Sequence, residues 1–201
     1  MRLQGAAFFL LMLLPAVLPA AVVVPDDLTA PLDLTAAQGK WKFKGGDDTA
    51  YRAPGYDDSL WDIVPSLPHN WKDPGTVPHS LAGTAWYRIH LRFGKEAHGR
   101  SLLFRLGPMD DADEVYFNGT LIGATGEIDP PGTGPKRHAW DRVRLYPVPP
   151  GTEILDGDNV LAIRIQGYFH DYAGMYYDGG KVLLGYEKDI LYSFFMETLG
   201  L

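Results

Sequence analysis

"AWYRIHLRF" (Ala85–Phe93) alternates along its whole length. Tyr87, Ile89, Leu91 and Phe93 fall on one face, and Trp86, Arg88, His90 and Arg92 on the other. Successive strand side chains point to opposite sides, so a period of two means strand and not helix. The pattern predicts a half-buried strand with Trp86 and Arg88 on its outer face. No helical period is sustained before the last dozen or so residues, so this strand sets the fold class.

Similar runs lie on both sides. "GKWKFK" (Gly39–Lys44) places Trp41 and Phe43 on one face, and Trp61 and Ile63 open a short strand after a Gly/Asp/Pro-rich loop. "SLLFRLG" (Ser101–Gly107), "VRLYPV" (Val143–Val148), "NVLAIRIQG" (Asn159–Gly167) and "KVLLGYE" (Lys181–Glu187) follow. Short strands bounded by Gly, Pro or Asp predict an all-β, antiparallel sandwich. "ILYSFFMETLGL" (Ile190–Leu201) lies beyond the last strand and reads as a short helix packed on the sandwich or as the start of a connection.

"DDADEVYFNGTLIG" (Asp110–Gly123) poses the sharpest choice. It is either an acid cluster or a turn leading into a hairpin. Asn118-Gly119 can take positive φ at both central positions, as a type I′ turn requires. Val115 and Phe117 then face the core, with Tyr116 opposite. The acids read as a solvated turn. Counted from Asp111, the EF-hand order fails, with no Gly at the sixth place and no Glu at the twelfth. No cofactor is expected. An irregular structural calcium at Asp110, Asp111, Asp113 and Glu114 is the one metal reading that spacing leaves open. Asp47-Asp48 and Asp57-Asp58 read as turn formers ahead of Trp61.

The 201 residues suffice for one domain with a real core. A net charge of −7 without a basic run excludes an electrostatic nucleic-acid binder. With no cysteine, disulfides, thiolate nucleophiles and zinc thiolate sites are excluded. Arg2, the apolar run Ala6–Val17 and small residues around Ala20 and Ala21 form a signal peptide over 1–21. The mature chain is therefore expected to be secreted or periplasmic, without a membrane span. A lead-in over 22–33, a sandwich over 34–187 and a tail over 188–201 complete the organisation.

No catalytic constellation is legible. G-x-S-x-G, H-E-x-x-H, Walker A and G-x-G-x-x-G motifs do not occur. The His residues are scattered, and His69 and His79 read as solvent-exposed loop residues. The Asn118-Gly119-Thr120 sequon sits in a tight turn and is discounted. What remains is a set of aromatics near polar groups, the pairing that holds sugars by stacking and hydrogen bonds. Three places carry it: Trp86 with Arg88, the loop around Trp140, and "YFHDYAGMYYDGG" (Tyr168–Gly180). The last offers Tyr168, His170, Asp171, Tyr172, Tyr176 and Tyr177, unless the loop folds over the sandwich end and plugs the core. Arg164 either pairs with a buried Asp or reaches a ligand, and the pair is favoured because an Arg among apolar residues needs a counter-charge.

Taken in order, "GKWKFKGGDDTAYRAPGYDDSLWDIVPSLPHNW", "GTAWYR", "LGPMDDADEVYFNGTLIGATG", "LYPVP" and "GDNVLAIRI" give the chain a family resemblance. It resembles the N-terminal sugar-binding-like domain of glycoside hydrolase family 2 enzymes. The version it looks most like is found in sialate O-acetylesterases and in front of bacterial membrane sensors. The resemblance implies a galactose-binding-domain-like jelly-roll β-sandwich that is an accessory, with the catalytic residues in another domain. Trp86, Tyr87, Arg88, Asp110, Asp111, Asp113, Asn118, Gly119, Trp140, Arg144, Tyr146 and Arg164 match by motif, and most are expected to serve the fold. The aromatic loop after Arg164 departs from the Gly-rich pattern of relatives and is the expected source of specificity. The leading expectation is an exported, non-catalytic carbohydrate-binding-type module, accessory or sensory, with a glycan-like ligand. The alternatives are an interaction domain packed on a catalytic or sensor partner and, third, a hydrolase in its own right.

Overall fold

The computed structural model describes residues 21–71, 83–129, 137–167, 173–175 and 181–201. The strands are β1 (Val22–Val24), β2 (Leu32–Asp33), β3 (Trp41–Gly45), β4 (Asp62–Val64), β5 (His69–Asn70), β6 (Gly83–Phe93), β7 (Leu102–Leu106), β8 (Ala112–Phe117), β9 (Thr120–Thr125), β10 (Arg144–Val148), β11 (Asn159–Gly167), β12 (Gly174–Met175) and β13 (Val182–Tyr186). One helix, α1 (Glu187–Leu199), follows. A seven-stranded sheet runs β4-β3-β6-β11-β8-β9, with β1 also on β6, and a four-stranded sheet runs β10-β7-β13-β2. All pairings among these strands are antiparallel except β1 with β6.

The two sheets close on one apolar core. Phe43, Tyr87, Ile89, Leu91, Phe93, Val115, Phe117, Leu161, Ile163 and Ile165 come from the large sheet, and Leu102, Phe104, Leu106, Val148, Val182 and Leu184 from the small one. These are every-second residues on each strand, the pattern that an antiparallel sandwich demands. The hairpin forms as its sequence predicts. Asn118 and Gly119 have φ of 48° and 82°, and Val115 and Phe117 enter the core while Tyr116 packs on the opposite face.

The half-buried reading of β6 is corrected. Trp86, Arg88 and His90 are as buried as the core-facing residues, and only Arg92 is exposed. The segment between β3 and β4 folds back over the outer face of the large sheet. A 3₁₀ turn, Thr49–Arg52, is capped by the Asp48 side chain on Ala50 N–H. Tyr51 meets Trp61 edge-on at 4.9 Å, and Trp86 stacks on Tyr116 at 5.7 Å. Each such pair contributes about 0.5–1.5 kcal/mol beyond area burial. A local alternation cannot reveal such a cover, because period two reports the turn of the strand and not what lies above it.

The small sheet is covered on its outside too. Ile190 of α1 packs on Leu103 and Leu183, and Glu197 accepts from Arg105 at 3.0 and 2.5 Å. The terminal segment is therefore a helix on the sandwich. Among the described residues no helix is long and apolar enough to cross a membrane. The lead-in is part of the fold, since β1 pairs with β6 and β2 with β13.

Candidate functional site

Strand register brings one set of ends together. Gly167 sits opposite Gly83, Gly45 opposite Ala85, and Arg144 and Val182 both opposite Leu106. The described residues 107–111, 126–129 and 137–143 therefore lie at the same end as Gly83 and Gly167. Loops at a sheet end, held by a rigid scaffold, are where binding residues concentrate.

The floor of this end is a polar lattice. Arg144 donates from Nε to Asp113 Oδ1 at 2.7 Å and from Nη2 to Met109 O and Asp111 O at 3.0 and 3.1 Å. Tyr146 donates its hydroxyl to Asp113 Oδ2 at 2.7 Å. Burial, then the Asp113 charge, push that phenol above its ordinary range. Gln166 grips the Asp129 backbone from both sides, accepting from its N–H at 2.8 Å and donating to its C=O at 2.9 Å. His69 shares a 2.7 Å hydrogen bond with the Tyr87 hydroxyl, which also accepts from Trp71 Nε1 at 3.2 Å.

The acids at the mouth of β8 do not form a solvated turn, and that expectation is corrected. Asp111 and Asp113 are buried. Asp113 goes inward because Arg144 and Tyr146 supply its donors. Asp111 is contacted by His138 Nδ1 at 3.1 Å, with the His138 side chain 48% exposed. Asp110 is half-buried beside it. Burial, then the hydrogen bond and charge of Asp111, raise its carboxyl to about 7 against the pull of Arg144. With its carboxyl so raised, Asp110 can donate as well as accept. Among the described residues no group of three or more His, Asp or Glu is placed to hold a metal ion.

The sequence candidates fare differently. Trp140 is on this end and 43% exposed. Trp86 and Arg88 are wholly buried, so neither offers an outer face to a ligand. Arg88 instead donates to Asp58 Oδ2 at 2.7 Å and to the carbonyls of Tyr51 and Ala53. Tyr168, His170, Asp171, Tyr172, Tyr176 and Tyr177 lie outside the described residues. His69, expected in solvent, is buried, while His79 lies outside the described residues. Arg164 takes its paired reading, with a double hydrogen bond to Asp47 at 2.7 Å and a third to Glu114 at 2.9 Å. Asp57 shapes a turn by accepting from Ser59 N–H, but its neighbour Asp58 is buried on Arg88 and His90. His138 and Gln166 were not singled out from sequence. The only local sign of His138 is its place two residues before Trp140.

No family model matches the chain. A curated β-glucuronidase of Formosa agariphila is 26% identical over 94 residues, covering 41% of this chain and 10% of that protein. Among solved structures, a β-glucuronidase of Bacteroides uniformis aligns with a TM-score of 0.58 at 22% identity, over 77% of this chain and 17% of its own. A glycosyl hydrolase family 2 member from Bacteroides cellulosilyticus gives 0.56 at 19% identity, over 72% of this chain and 19% of that one. A β-glycosidase from Bacteroides vulgatus gives 0.54 at 21%, over 77% and 20%. The chain thus spans between a tenth and a fifth of the length of these proteins. At these identities the likeness establishes the fold: an all-β sandwich of the kind carried within family 2 glycosidases, as the ordered motifs led us to expect.

Proposed function

We propose that this chain is an exported, non-catalytic carbohydrate-binding-type module, accessory or sensory in role. The observation that carries the reading is Trp140. It is a large ring, 43% exposed at the loop end, two residues along from His138, whose Nδ1 lies 3.1 Å from Asp111. A ring takes the C–H face of a sugar, and carboxyl and imidazole groups take its hydroxyls. The relatives named as β-glucuronidases and β-glycosidases favour a glycan over other ligands. The non-catalytic part rests on how the polar groups are used. Asp113, Arg144 and Tyr146 are occupied with one another, Asp58 with Arg88, and Arg164 with Asp47 and Glu114, and a glycosidase needs two carboxylates facing a scissile bond. Isothermal titration of the chain with neutral and acidic glycans tests this: saturable heat that Trp140→Ala removes supports it, and silence across both classes removes the sugar.

A second reading is an interaction domain that packs on a catalytic or sensor partner. It is favoured by Leu191, Tyr192, Phe195 and Leu199, which lie exposed on α1. Recovery of a stoichiometric partner, lost on Phe195→Asp and unaffected by Trp140→Ala, supports that reading over the first.

A further inference from the structure

The opposite end of the sandwich carries a concavity that no expectation anticipated. Where β13 turns into α1, a cleft of about 410 Å³ is lined by Arg100, Ser101, Tyr186, Glu187 and Lys188. That volume lies in the range of small-ligand sites. We propose that this cleft is a second saccharide site, selective for a sugar that carries a carboxylate. The ligand class rests on the carbohydrate-binding reading above. The location does not, since the cleft shares no residue with the Trp140 end.

The lining has the parts that such a ligand requires. Tyr186 is half-buried, and its hydroxyl donates to Asp26 O at 3.2 Å, which fixes the ring. The Arg100 guanidinium stands over that ring, 5.7 Å from its centre, so a planar set of donors covers one face of the tyrosine. Ser101 and Glu187 add a hydroxyl and a carboxylate for sugar hydroxyls. Of the charged side chains on the cleft, Arg100 and Lys188 are cations and Glu187 is the one acid. The surplus is positive although the chain as a whole carries −7. The surplus selects for a carboxylate, by a modest factor because such exposed pairs are screened.

The groups are held by the scaffold and not by a long loop. Glu187 N–H donates to Ser101 O at 2.8 Å, tying the start of α1 to the start of β7. Arg100 N–H donates to Ala97 O at 3.1 Å, closing the turn before it. These bonds place the backbone that carries Arg100, Ser101 and Glu187, and Arg100 Nε also donates to Glu96 O at 3.4 Å, so less freedom is lost on binding than from a long loop.

The test is a ¹H–¹⁵N chemical-shift titration of the full chain with galacturonate and, separately, galactose. The expected result is saturable shifts at Arg100, Ser101 and Tyr186–Lys188. Galactose should bind about fivefold more weakly, because it forgoes the ion pairs. Tyr186→Ala should weaken both sugars, Arg100→Gln should erase the preference, and Trp140→Ala should change nothing at this end. Should Tyr186→Ala fail to fold, Arg100→Gln carries the test alone. Equal affinity for the two sugars overturns the carboxylate selectivity. Shifts confined to residues 137–141 overturn the second site and leave the module reading standing. Silence at both ends overturns both.

Discussion

Arg144 and Asp113 form an ion pair at 2.7 Å between side chains with no measurable exposure. Arg144 stands on β10 and Asp113 on β8, so the pair ties the small sheet to the large one beneath the candidate site. Removing one partner leaves the other charged and buried. Asp113→Ala is therefore expected to cost about 3–5 kcal/mol of unfolding free energy, while combining Asp113→Leu with Arg144→Met should recover much of it. Urea denaturation of the single and double variants measures both.

His90 makes stability depend on pH. Its Nδ1 lies 2.7 Å from Asp158 and its Nε2 2.9 Å from Asp58, so both ring nitrogens face carboxylates and an imidazolium satisfies both. Burial alone lowers the imidazole pKa, but the bonds to Asp58 and Asp158 outweigh it and the net shift is upward from 6.5. A raised folded pKa means that the contribution is complete below 6.5 and is lost as pH rises through the folded value. Asp58 works in the other direction. Burial alone raises its pKa, but His90 and Arg88 lower it below 3.8, so its contribution is present above 3.8 and is lost as pH falls through the lower folded value. The stability difference between wild type and His90→Asn should thus be greatest between these limits and shrink toward alkaline pH. Denaturant melts from pH 4 to 9, as a rough range, check it.

Gly123 on β9 has no room for a side chain. A Cβ there would come within 2.0 Å of the Tyr146 ring. That ring cannot swing away, because its hydroxyl is held by Asp113 at 2.7 Å and Thr125 at 2.5 Å. Gly123→Ala should cost about 1–3 kcal/mol by overpacking. Gly119→Ala should also cost stability, but through backbone strain at φ 82° and without a clash of that severity. Thermal melts of the two variants separate the causes.

Asn118 is spoken for by the fold. Its Nδ2 donates to Thr152 O at 2.7 Å and Asn159 Oδ1 at 2.8 Å, and its Oδ1 accepts from Val160 N–H at 2.9 Å. The amide nitrogen that a glycan would occupy is engaged. Secretion from a eukaryotic host should leave Asn118 unmodified despite its sequon, as peptide mass mapping would record.

Much of the fold was legible in the sequence because it is locally encoded. The alternation of Ala85–Phe93, the Asn118-Gly119 turn and the inward Val115 and Phe117 each follow from a few neighbouring residues. What escaped is long-range. Asp58 is buried because Arg88 and His90, thirty and thirty-two positions away, supply its donors. Asp113 is buried through Arg144, thirty-one positions on. An acid in a polar run looks solvated until its partner is known. β1 and β2 were missed because strands of three and two residues carry too little pattern to read. Of the candidate site, Trp140 was found by residue type alone. His138 and Gln166 join it only through the register that brings the strand ends together.

On the proposed function, the loop end of this sandwich holds a sugar and does not transform it. The most direct measurement is titration of the purified chain and its Trp140→Ala variant against a glycan panel, with product analysis of each mixture. Saturable binding to a subset of glycans is expected, weakened about tenfold or more in the variant at unchanged melting temperature, with every glycan recovered intact. Release of free sugar or acetate that stops when one carboxylate or Ser of this chain is replaced would contradict it.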